Sequence, residues 1–160
     1  MSIPNLNPVS FYHSMHGGLI LVTGSDHTNT ISIKKILQQH RTKQPVLISF
    51  GSPPVVTNCQ YIFAQAANSQ VAIKMAYQLI DFAAILIFEW LHVSMISMDA
   101  ELYLLLRRLR GLARRSQIWV VIFIETTCCP SIATLTLRMD LVIQLTTNNL
   151  LARYDTVPDQ

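Results

Sequence analysis

The residues of this chain with the most chemistry to offer lie between Leu19 and His40, in LILVTGSDHTNTISIKKILQQH. An apolar run reaches a glycine, a short polar segment follows, and basic residues come next. That is the outline of a phosphate-binding loop. Such a loop needs G-x-x-x-x-G-K-[ST]: glycines let backbone N–H groups close on the phosphates, a lysine reaches the outer phosphates, and a hydroxyl ligates magnesium. Framed on Gly24, the second glycine is Asn29, the lysine is Thr30 and the hydroxyl residue is Ile31. Thr30 is short and uncharged, and Ile31 has no metal ligand. Asn29 tolerates left-handed backbone but carries a Cβ where glycine has none. The stretch therefore reads as a tight strand-to-helix turn that positions a sheet, with no catalytic residue and no cofactor expected. Glu89, at the end of the apolar run AAILIF, stands where a nucleotidase of this topology places a magnesium-linked carboxylate.

The second concentration of chemistry is basic. Arg107, Arg108, Arg110, Arg114 and Arg115 are five of the twelve Lys and Arg residues and share one helix and its end. Leu102, Leu105, Leu106, Leu109, Leu112 and Ala113 form its apolar stripe, and the arginines are expected on the other side with Tyr103 and Leu104. Cations near a helix C-terminus suit the helix dipole as solvated residues. They also suit phosphate backbones, which arginine grips bidentately without sequence preference. Tyr103 and Leu104 on that side point to a partner contact, as does Trp90 after the central strand. Lys34 and Lys35, with His40, Arg41 and Lys43, make a more dispersed basic cluster. No metal site is expected: the five His residues lack ligand spacing, and Cys59, Cys128 and Cys129 suit reduced thiols better than a disulfide framework. G-x-S-x-G is absent.

The elements that must position these residues alternate. Strands are expected at 17–24, 45–50, 59–64, 83–88 and 118–124. Helices are expected at Ile31–Gln39, Ser69–Phe82 and from Ala100 after an Asp99 cap. Leu141–Leu145 and Leu150–Asp155, joined by TTNN, predict a hairpin. Central strands that are apolar throughout imply burial on both faces, hence a mainly parallel sheet between helices. Residues 1–16 read as an N-terminal arm and 17–160 as one domain. Of the 160 residues, 51% are hydrophobic and only 13% charged, against about a quarter in an average domain. So few charges imply that part of the surface is buried against a partner. The net charge is +3, and no apolar run is long enough to span a membrane.

The order of these pieces resembles the RecA-type ATP-binding core, most closely the eukaryotic recombinase paralogues. GGLILVTG is similar to their lead-in to the phosphate loop. Asn58–Trp90 resembles their third strand, helix and magnesium-site strand. LYLLLRRLRGLARRSQIWVVIFIE resembles the next helix and strand, and LARYDTVPD the closing strand. The fold this implies is a RecA-like α/β sheet with helices on both faces and a C-terminal edge hairpin. Carried over by position, the phosphate lysine falls on Thr30, the magnesium hydroxyl on Ile31, the general base on Phe50 or Gly51, and the polar sensor near Glu125 or Thr126. Only Glu89 is a conservative match. The pattern is similar to ATPase-dead mediator subunits of the yeast Shu complex type. The resemblance then implies a nuclear, non-enzymatic DNA-repair protein without residual ATP binding. Its partners would be another RecA-like subunit, a recombinase and DNA, single-stranded or forked, with no membrane. A structural subunit of an Elongator-type tRNA-modification complex is the alternative, and a weak ATPase whose partner supplies the missing lysine is a third.

Overall fold

The structure is a computed structural model that describes residues 17–39, 44–56, 59–89, 100–125, 139–145 and 152–156. The expected arm at 1–16 and Trp90 lie outside the described residues, as do His40, Arg41, Lys43, His92, Thr126, Cys128 and Cys129.

Among the described residues, seven strands form one sheet: β1 (Gly18–Gly24), β2 (Val46–Ser49), β3 (Ile62–Gln65), β4 (Leu86–Glu89), β5 (Trp119–Glu125), β6 (Leu141–Leu145) and β7 (Ala152–Thr156). Their spatial order is β3-β2-β4-β5-β1-β6-β7. The first six run parallel, and β7 closes the edge antiparallel to β6, with Leu141 opposite Thr156 and Leu145 opposite Ala152. This is the expected α/β RecA-like architecture, including the edge hairpin.

Among the described residues, three helices cover the two faces. They are α1 (Asp26–Gln39), α2 (Ser69–Leu79, continued by a 3-10 turn at Ile80–Phe82) and α3 (Ala100–Ser116). Side chains alternate along each strand, so one apolar run serves two cores. Leu19, Leu21, Val120 and Ile122 face α2 and α3, meeting Ala72, Ile73, Leu102, Leu106 and Leu109. Ile20, Val22, Val121 and Phe123 face α1, meeting Ile33, Ile36 and Leu37. Such double burial is why β1 and β5 read as continuous apolar sequence.

Local polar chemistry sets the helix ends. Asn68 caps α2, its Oδ1 accepting from Val71 N at 2.9 Å. Helix α1 starts at Asp26, five residues before the expected Ile31. Ser25 is the reason: its Oγ accepts from Thr28 N at 3.2 Å, and its carbonyl accepts from Asn29 N at 3.0 Å and Thr28 Oγ1 at 3.0 Å. That is an N-cap, which satisfies amides the first turn leaves without helical partners.

The amino edge of the sheet is fastened by a buried carboxylate. Asp140 is 1% exposed. Its Oδ2 accepts from Leu19 N at 2.8 Å, and its Oδ1 accepts from Arg114 Nε at 3.1 Å and from the Arg114 terminal nitrogen. Thus α3, β1 and the entry to β6 meet at one group. Gly17 (φ +136°) and Gly18 (φ +149°) pass beneath this junction, in backbone that L side chains rarely adopt. A Cβ on Gly18 would collide with the Asp140 carboxylate, and one on Gly17 would lie 2.6 Å from Ile118 backbone atoms.

Candidate functional site

At the carboxyl edge of the sheet the β1–α1 connection is a single residue, Ser25. Capping has drawn into the helix the positions that an open phosphate loop would spread out. Asn29, which stands at the second-glycine position of the phosphate-loop frame, is not among the described residues with positive φ; it is helical and fully buried. Its Nδ2 donates to Ile124 O at 3.1 Å and to Gly24 O at 3.4 Å, tying the ends of β5 and β1 together. A Cβ on Gly24 would stand 2.8 Å from Thr28 Oγ1, so this glycine is needed for close packing of helix on strand.

Beside this closed turn lies a crevice of about 200 Å³. Asp26, Thr30, Ile33 and Lys34 line it from α1, Ser52 and Pro54 from the loop after β2, and Glu89 from the end of β4. The four α1 residues follow i, i+4, i+7, i+8 spacing and so share one helix face. Glu89 sits level with Ser49 of β2 and Phe123 of β5. Tyr61 fastens the loop by donating its hydroxyl to Pro54 O at 2.9 Å. Burial pushes the Tyr61 pKa up from 10.0, and the nearby Cys59 and Glu89 add to it, so the hydroxyl remains a donor at neutral pH. A crevice of this size is below the usual range of about 300–1,000 Å³ for small-molecule pockets. It has room for a phosphate chain with a metal rather than for a whole nucleotide.

The donor set agrees with that content. Carboxylates at Asp26 and Glu89 and hydroxyls at Thr30 and Ser52 are oxygen ligands of the kind magnesium takes together with phosphates, and Lys34 supplies a cation. A backbone cradle does not fit: Thr28 N and Asn29 N are already engaged by Ser25. Ile31, the position matched to the magnesium hydroxyl, does not line the crevice, whereas Thr30 does. Among the described residues, no three His, Cys, Asp or Glu side chains gather as a metal site, and no helix is long and apolar enough to cross a membrane.

The arginine helix divides. Arg107, Arg108 and Arg115 are exposed, with Leu104 55% exposed among them and Tyr103 half-buried. Arg110 is only 4% exposed. It follows Leu106 by four residues and precedes Ala113 by three, which brings it to the margin of the buried stripe despite its charge. Arg114 is committed to Asp140. Of the five arginines expected to form one surface, then, the described structure puts three outward. Lys34 and Lys35 are half-buried on α1, on the opposite face of the sheet from α3.

Sequence reasoning missed Asp140, Tyr61 and the crevice role of Lys34. For Lys34 a signal existed, the i, i+4, i+8 series Asp26, Thr30, Lys34. For Asp140 there was none locally, because its partner Leu19 is 121 residues away.

No family model matches the chain, and no curated protein matches it in sequence. Its fold does match solved structures. The DNA-packaging ATPase B204 of Sulfolobus turreted icosahedral virus aligns over 84% of this chain and 78% of its own, at 12% identity and a TM-score of 0.51. The N-terminal domain of zonular occludens toxin from Neisseria meningitidis aligns over 89% and 85%, at 9% identity and a TM-score of 0.50. The P4 protein of bacteriophage phi13 aligns over 85% of this chain and 53% of its own, at 15% identity and a TM-score of 0.48. The expected RecA-like α/β type of fold stands. The expectation of a non-enzyme is corrected: B204, on the same fold, is an ATPase.

Proposed function

We propose that this chain is a nucleotide-using RecA-like subunit of an assembly that handles nucleic acid. The observation that carries this is the convergence of Lys34, Thr30, Ser52, Asp26 and Glu89 on one crevice outside the carboxyl ends of the strands, where open α/β sheets bind ligands. Glu89 and Asp26 would hold magnesium, with the Thr30 and Ser52 hydroxyls beside it. The metal, when bound, neutralises charge on a nucleoside triphosphate's phosphates. Asn29 keeps the ends of β1 and β5 in register under the site, and Tyr61 holds the Ser52 loop in place. ATPase activity is named for B204, and for this chain we assign slow hydrolysis to the same crevice.

The nucleic-acid half of the proposal rests on the exposed Arg107, Arg108 and Arg115 beside Leu104. Exposed arginines next to an apolar side chain suit a phosphate backbone and a neighbouring subunit together. Within that reading we assign the chain to a recombination mediator that assists recombinase assembly on single-stranded DNA. The experiment is phosphate release by the purified full chain with magnesium and ATP, without and with single-stranded DNA. Release above the background of Glu89→Gln, raised by DNA, is the expected result. Release indistinguishable from that variant, with no bound nucleotide, would refute it. Preference for tRNA over DNA would move the subunit to an RNA-modification assembly.

A further inference from the structure

We propose that Lys34 is the phosphate-binding cation of this crevice, working from one helical turn beyond the position where the loop lacks its lysine. The inference rests on the nucleotide reading above and assigns the residue on which it turns.

Three observations support it. Thr30 occupies the position matched to the phosphate lysine, and Lys34 follows it by four residues, so both line the crevice. In a helix each Cα–Cβ bond tilts toward the N-terminus, and long side chains lie back over the preceding turn. The Lys34 ammonium is thereby directed over the turn that carries Thr30. Lys34 is half-buried, is the only cation among the described residues that line this crevice, and forms no ion pair with a described residue. Lys74, on the opposite side of the sheet, is paired with Glu101 at 3.7 Å.

The early start of α1 makes this position meaningful. With Thr28 N and Asn29 N engaged by Ser25, phosphate has no amide cradle to enter. It would lie along the side of the helix, against Thr30 and Lys34. The lining charges also select the ligand. Asp26 and Glu89 outweigh one lysine, so bare phosphate is repelled, and a phosphate chain carrying a divalent cation is accepted. The ligand class is a magnesium–nucleoside polyphosphate.

The test uses the full chain and the fluorescent nucleotide mant-ATP, read by anisotropy with magnesium and with EDTA. Lys34→Ala is expected to weaken binding about tenfold or more, the effect of deleting one charge-assisted contact. Lys74→Ala removes the same charge from the other face and is expected to leave binding unchanged. Thr30→Lys added to Lys34→Ala should restore most of the affinity, an outcome that a general charge effect on folding would not give. EDTA should abolish binding. If the wild-type chain binds no mant-ATP, the nucleotide reading falls and this inference with it. If the wild type binds and Lys34→Ala binds equally well, the nucleotide reading survives and the assignment of Lys34 is overturned.

Discussion

Removing Arg114 should cost this protein more stability than neutralising Asp140, although the two form one ion pair. The asymmetry follows from burial. The Asp140 side chain is 1% exposed and the Arg114 side chain 34%. In Arg114→Met the carboxylate stays buried, still accepting from Leu19 N at 2.8 Å, but has lost its counter-charge. Breaking a buried pair from that side costs about 3–5 kcal/mol. In Asp140→Asn the side-chain oxygen can still accept from Leu19 N, and the arginine, a third exposed, turns to water. That loss is roughly 1–2 kcal/mol, the net worth of a hydrogen bond to a charged group discounted for solvent screening. Urea titration of both variants and the double variant, followed by far-UV circular dichroism, measures the difference at constant m-value. The double variant should be less destabilised than the sum of the singles, because the residues share one contact. An Asp140→Asn loss larger than that of Arg114→Met, or additive losses, would refute the reasoning.

Other expectations follow from the same structure. Asn29→Leu removes the amide donor to Ile124 O and Gly24 O, and should destabilise the chain by about 1–3 kcal/mol in the same titration, from buried carbonyls left without their donor. Arg107→Ala, Arg108→Ala and Arg115→Ala together should weaken single-stranded DNA binding uniformly across sequences and flatten the log K against log salt slope by about 2, at roughly 0.7 per phosphate contact. An unchanged slope would take nucleic acid off this face. Burial raises the Tyr61 and Tyr77 pKa values above 10.0, opposed at Tyr77 by Arg108. In this window the unfolded chain loses its tyrosine protons before the folded one. Their contribution is therefore fully present below pH 10 and lost as pH rises toward and through the raised folded values. Thermal melts of Tyr61→Phe and Tyr77→Phe, compared with wild type above pH 10, should show a shallower decline.

The sheet was legible because its signals are local and redundant. The runs in β1, β4 and β5 are apolar on both faces, and only a sheet covered twice uses such sequence. The hairpin was carried by TTNN between two short runs. The start of α1 was misread because Gly24 was fitted to a phosphate-loop frame. Ser25, followed by Asp26 in the first turn, was the competing signal and prevailed through its hydrogen bonds to Thr28 and Asn29. Arg110 was assigned outward by residue type, whereas its angle on the helix, between Leu106 and Ala113, decided its burial. β3 begins at Ile62 rather than Cys59 because its ladder with β2 starts where Val46 faces Ile62. The crevice lay beyond sequence reasoning for a different reason. Its members come from α1, from the loop after β2 and from β4, and only the crossover order β2-β4-β5-β1 brings them together.

The most direct test of the central claim is isothermal titration of the full chain with ATP, in magnesium and then in EDTA. Magnesium-dependent binding at one site per chain, lost in Glu89→Gln, is the predicted result. Absence of binding in magnesium, or binding indifferent to both magnesium and Glu89→Gln, would contradict the account of the crevice.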